Sequence, residues 1–97
     1  MVIVALDVVP HCYSADDGEV IRQELISAFA TSKHVTLSFT GVSDVPSSFV
    51  GSALVPLVQE RGAAWVKEHL TIASATRQVA GMIRRCLDVA ERAAEPA

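Results

Sequence analysis

Apolar positions along this chain follow two spacings, every second residue and every third or fourth, and the alternation between them marks out six elements. Residues 2–9, VIVALDVV, are apolar almost throughout, rich in β-branched side chains and stopped by Pro10. They predict a strand covered on both faces, or covered on one face by another copy of the chain. Turn and cap residues fill 14–18. Ile21, Leu25, Ala28 and Phe29 then fall on one face of a helix expected over 19–31. Val35, Leu37 and Phe39 alternate in a second strand, 34–39. A second helix is expected from Ser47, with Val50, Ala53, Leu54, Leu57 and Val58 on its stripe and Glu60, Arg61 and Gly62 at its end. Pro56 lies inside that stripe, where it loses the bond to the Ser52 carbonyl and clashes with it at about 3 kcal/mol, so a kink or break is expected there. Residues 65–68 connect to a third strand, 69–74. Val79, Met82, Ile83, Cys86, Leu87 and Ala90 form the wide stripe of a last helix over 75–93, with Arg84, Asp88 and Arg92 four apart on its outer face. Residues 92–97 read as a short tail.

Strand and helix alternating three times predict a small α/β domain: a mainly parallel sheet of three to four strands, about three helices and right-handed crossovers. In such sheets, sites lie at the carboxyl ends of the strands. The loops 11–18, 40–48 and 74–77 meet at that edge and bring together Ser14, Asp16, Asp17, Asp44, Ser47, Ser48, Ser74, Thr76 and Arg77.

The totals narrow the function classes. A chain of 97 residues is one domain. Its net charge is −3 and the bases are interspersed with acids; Arg84-Arg85 is the densest basic pair, and Asp88 and Glu91 soon follow it, which disfavours nucleic acid as a partner. The longest apolar run, 1–6, is too short to span a membrane, and no basic segment precedes an apolar one as in a secretory signal. Cys12 and Cys86 form no motif and suit a reducing, cytoplasmic setting in which they stay unpaired. His11, Cys12, His34 and His69 match no ligand spacing, and His34 and His69 start their strands at the opposite edge from His11 and Cys12, so no metal or other cofactor is expected. Asp7, in the first strand, is either exposed at its edge or buried and paired. No second acid or base accompanies it, and Cys12 has only adjacent His11, so no enzyme activity is expected.

The segment 35–54, VTLSFTGVSDVPSSFVGSAL, carries the most information. A serine pair where a helix begins is a cap at minimum, worth about 1 kcal/mol. A phosphate added there would also meet the favourable end of the helix dipole. Ser47 and Ser48 are therefore candidates both for capping and for phosphorylation. Arg77, near Ser74 and Thr76, is either a solvated residue or a contact for an anion.

This segment resembles the centre of STAS domains, the fold of anti-sigma-factor antagonists. Leu37-Ser38-Phe39-Thr40-Gly41-Val42 matches their strand and turn, and Pro46-Ser47-Ser48-Phe49 stands where they have Asp-Ser-Ser-Gly. The chain is closer still to the STAS-like family DUF4325, matching its Gly-x-x-x-Arg helix start with Gly18 and Arg22 and its later positions with Phe39, Ser48 and Phe49. The resemblance implies a STAS-like fold and a non-enzymatic adaptor that binds a protein partner, such as a histidine-kinase-like ATPase acting as a serine kinase. It further implies a switch in which phosphorylation of the first serine, Ser47, abolishes binding. The expected contact surface is Thr40, Gly41, Val42, Ser43, Asp44, Val45, Pro46, Ser47, Ser48 and Phe49, with Trp65 at its flank. Two other classes stay open: a small-ligand or hydrolase-like domain using the serine-rich edge, which needs Ser47 or Ser48 within reach of His11, and a structural homo-oligomer such as a homodimer.

Overall fold

A computed structural model describes residues 1–94. Three strands, β1 (Val2–Val4), β2 (Val35–Ser38) and β3 (Leu70–Ala73), form one parallel sheet in the order β1-β2-β3. Around it run α1 (Ala5–Val8), α2 (Ala15–Thr31), α3 (Ser47–Ala53), α4 (Val55–Arg61), α5 (Ala63–His69) and α6 (Arg77–Ala94). The α/β fold and the parallel sheet follow the sequence reading. The three expected helices are six helical segments, and the expected tail is helical as far as Ala94; residues 95–97 lie outside the described residues.

Register explains which face is core. Ile3, Leu37 and Ile72 stand opposite one another, as do Val2, Thr36 and Thr71. The first set belongs with Val35, Phe39 and Leu70 to the face beneath the helices, and Ile3, Val35, Leu37 and Phe39 are buried. On the other face Val2 is 67 % exposed and Thr71 is also exposed. The first strand is thus covered on one face only.

It is also shorter than expected. Only 2–4 pair with β2, which ends at Ser38. The backbone beyond Val4 has no ladder to join, so it closes on itself as α1, and Val9 N–H donates to the Ala5 carbonyl at 3.0 Å. Asp7 is exposed on this turn.

α2 starts four residues earlier than periodicity suggested, because Ser14 and Asp17 form a capping box. Asp17 N–H donates to Ser14 Oγ at 3.1 Å, and Ser14 N–H donates to Asp17 Oδ2 at 3.3 Å. This places Gly18 inside the helix. A Cβ built there would lie 2.3 Å from the Phe49 carbonyl oxygen and 2.8 Å from Ser52 Cβ, so only glycine lets α2 and α3 approach this closely.

The break expected at Pro56 occurs at Leu54, the residue shared by the end of α3 and the start of α4, and Pro56 sits in the first turn of α4, where its missing N–H is tolerated. α5 replaces the connector expected over 65–68. Gly62, at φ 88°, turns the chain. Ala63 and Val66 then face the core, while Trp65 stacks on His69 with ring centroids 4.2 Å apart and carries Arg61 over its ring at 4.6 Å.

Candidate functional site

The carboxyl edge of the sheet assembles two of the expected loops onto the start of α6. After β2 the chain turns at Gly41, φ 84°, with Val42 N–H donating to the Phe39 carbonyl at 2.9 Å and Ser38 Oγ bonded to Thr40 Oγ1 at 2.8 Å. The segment 42–45 is then clamped from α6. Gln78 spans Val45 with both ends of its amide: Oε1 accepts from Val45 N–H at 2.9 Å, and Nε2 donates to the Val45 carbonyl at 3.0 Å. Thr76 Oγ1 donates to the Ser43 carbonyl at 2.8 Å and accepts from Val79 N–H at 3.2 Å, capping α6 as it ties down the loop. Three loop-to-helix hydrogen bonds hold the segment against α6 rather than leaving it free in solvent.

The result is a ridge with a sorted surface. Thr40, Gly41, Ser43, Asp44, Ser47 and Ser48 are exposed and Pro46 is half-buried. Val42, Val45 and Phe49 are buried, at 8 %, 2 % and 1 % exposure. These three were expected among the contacts; their side chains instead anchor the ridge, Phe49 edge-on to Phe39 at 6.4 Å between centroids. Trp65 does not flank the ridge. It lines a cleft with Phe29, Lys33 and His69, beside the loop that precedes β2, at the amino edge of the sheet.

The serine pair is not a cap. Pro46 occupies the N-cap position, no side chain caps α3, and Ser47 and Ser48 are its first two residues. Val50 N–H reaches the Pro46 carbonyl at 3.4 Å. Proline fixes the extended backbone that a helix entry needs, so capping geometry is met without a hydroxyl. Both serine side chains therefore stand on the surface without a role in starting the helix. Ser47 also lines a groove of about 580 Å³ between α4 and α6, with Val55, Met82, Arg85, Cys86 and Val89.

The remaining candidates are dispersed. His11 stacks on Tyr13 and lines a small cleft, about 190 Å³, with Cys12 and 41–44, a different cavity from the one Ser47 lines. His34 bonds Thr71 Oγ1 at 2.6 Å, and His69 Nδ1 bonds the Trp65 carbonyl at 2.8 Å. Among the described residues, no three His, Cys, Asp or Glu side chains cluster as metal ligands do. Cys12 and Cys86 are free thiols. Burial pushes the Cys12 thiol above its ordinary 9.0, and the nearby Asp17 charge pushes it further. Burial also raises Cys86, against a smaller opposing pull from Arg85. Both shifts favour the neutral thiol over the reactive thiolate.

A family model, the STAS-like domain of unknown function DUF4325, matches residues 17–80. The chain belongs to this STAS-like family. No curated protein and no solved structure matches it. Within the matched span, two residues that carried the resemblance meet in space: Gly18 packs against the backbone of Phe49. In this STAS-like domain the glycine of the helix start and the Ser-Phe of the next helix are two sides of one α2–α3 contact. That contact fixes the height at which α3 presents Ser47 and Ser48. Gln78 gave no sequence signal, since a glutamine in a first helical turn is ordinary. The family match ends just beyond it.

Proposed function

We propose that this STAS-like domain is a regulatory, non-enzymatic adaptor that docks a protein partner on the ridge 40–48, with Ser47 as the residue whose phosphorylation switches docking off. The observation that carries this reading is the pair of exposed hydroxyls on a clamped support. Ser47 and Ser48 cap nothing, while Gln78 and Thr76 hold the loop before them in one shape. A preformed surface loses little entropy on binding. A phosphate on Ser47 adds nearly two negative charges to its edge without disturbing the fold beneath. The partner class that fits is a histidine-kinase-like ATPase acting as a serine kinase, which would both bind the ridge and modify it. The hydrolase-like alternative has less support, because His11 and Ser47 line separate cavities.

Affinity capture from an extract of the source cells, with the wild-type chain and Ser47→Asp in parallel, tests this. An ATPase of that class held by wild type and released by the variant is the expected result. Equal retention by both would leave the serines without a switching role.

A further inference from the structure

The sheet ends in an unguarded edge. β3 pairs with β2 on one side and, among the described residues, with no strand on the other. The register determines which backbone groups that edge offers. Phe39 N–H donates to the Ala73 carbonyl at 2.9 Å, and Ser38 stands opposite Ala73. Ala73 and Thr71 therefore turn their N–H and C=O groups toward β2, while Ile72 turns both of its groups outward and Leu70 only its carbonyl, because the Leu70 N–H donates to the Val66 carbonyl at the end of α5. Edge strands are commonly blunted by charge or proline, and the sequence LTIA contains neither.

A groove of about 630 Å³ runs beside this edge, between β3 and α6. Ile72, Ala75, Ile83 and Leu87 form its apolar part, and Lys67, Arg84 and Asp88 its charged rim. Ile72 shares the helix-covered face with Leu37. A strand added to β3 would alternate in the same way, so every second side chain would meet Ile83 and Leu87 while the others would extend the open face beside Thr71. The edge thus recognises backbone and the groove recognises alternate apolar side chains, the two halves of strand addition. A helix uses its own backbone groups internally and cannot answer the edge. A second copy would offer only its own four-residue β3, whose Leu70 N–H is already taken by the Val66 carbonyl, so it answers the edge less fully than a free extended segment. Arg84 and Asp88 are of opposite sign on the rim and Lys67 is paired with Glu91 at 3.4 Å, which suits a segment without strong net charge.

We propose that the β3 edge and the α6 groove take up an extended segment of a partner protein, apolar and β-branched at alternate positions, as a fourth strand. This site is separate from the ridge 40–48 and stands whether or not Ser47 is a switch.

The test extends the full chain after Ala97 by a flexible Gly-Ser linker and the segment Val-Thr-Val-Thr-Val, which holds the probe at roughly millimolar effective concentration. A matched chain carries proline in place of the second and third valines. Amide hydrogen exchange is read at Ile72, with Thr71 reporting the intact β2–β3 pairing. The expected result is exchange slowed about tenfold at Ile72 with the valine segment only, a protection lost again in Leu87→Glu while Thr71 stays protected. Equal exchange at Ile72 in the valine and proline chains would overturn the proposal. So would concentration-dependent protection in the unextended chain, which would assign the edge to a second copy.

Discussion

Replacing Gly18 with alanine tests the contact that sets the position of α3. The added methyl would meet the Phe49 carbonyl oxygen at 2.3 Å and Ser52 Cβ at 2.8 Å, with Ala53 N at 3.1 Å. The carbonyl and the amide are backbone and the Cβ is fixed to it, so no side-chain rotation relieves the clash; α2 and α3 must separate. Overpacking of this kind costs about 1–3 kcal/mol, and a backbone clash belongs at the upper end. Alanine recovers up to about 1 kcal/mol as the better helix former, which leaves a net loss of about 2 kcal/mol. In a domain of this size each kcal/mol shifts the midpoint by about 4–8 °C, so Tm falls by about 8–16 °C. The chain supplies its own controls. Gly51 in α3 and Gly81 in α6 have nothing within 4 Å of a built Cβ, so Gly51→Ala and Gly81→Ala gain about 0.5–1 kcal/mol each. Thermal unfolding followed by far-UV circular dichroism reads all three. A Gly18→Ala midpoint at or above wild type would refute the close-approach argument.

Other substitutions separate the serines and the clamp. Ser14→Ala, which removes the capping-box acceptor for Asp17 N–H, loses about 1 kcal/mol in urea unfolding. Ser47→Ala, which caps nothing, stays within about 0.5 kcal/mol of wild type by the same measurement. Gln78→Ala strands both backbone groups of Val45 and lowers stability by about 1–2 kcal/mol, and the Val45 amide exchanges faster. The thiols give a pH dependence. Because folding raises the pKa of Cys12 and Cys86, the neutral form is favoured in the folded state. That contribution is complete below the ordinary thiol value of 9.0 and is lost as pH rises through the higher folded values. Tm should therefore fall on going above pH 9 in wild type, and fall less in the Cys12→Ala, Cys86→Ala double variant.

The long periodic stripes were legible because burial imposes them: α2, α6, β2 and the break near Pro56 all follow from spacing and one proline. Tertiary pairing decided the rest. Nothing in VIVALDVV reveals that β2 ends at Ser38 and leaves 5–8 without a ladder, so a uniform apolar run became a three-residue strand and a helical turn. α5 was hidden because seven residues with two aromatic rings show too little periodicity, and its support is Trp65 stacked on His69 with Arg61, from the end of α4, over the Trp65 ring. At the site, composition pointed to the right segment but assigned its chemistry differently. The serines looked like caps, and Pro46 took that position instead. Phe49 was expected on the contact surface. The change of axis at Leu54 and the close approach of Gly18 bury it. The Gln78 clamp joins residues 33 apart and has no local signature.

The reading of this domain as a switchable adaptor rests on Ser47 being a docking residue that the fold does not need. The most direct measurement is a calorimetric titration of the captured partner with the wild-type chain and with Ser47→Asp, alongside the unfolding midpoint of each. The account predicts affinity weakened about tenfold or more, equivalent to about 1.4 kcal/mol, with the two midpoints coinciding. Equal affinities, or a loss of binding that merely tracks a lowered midpoint, would contradict it.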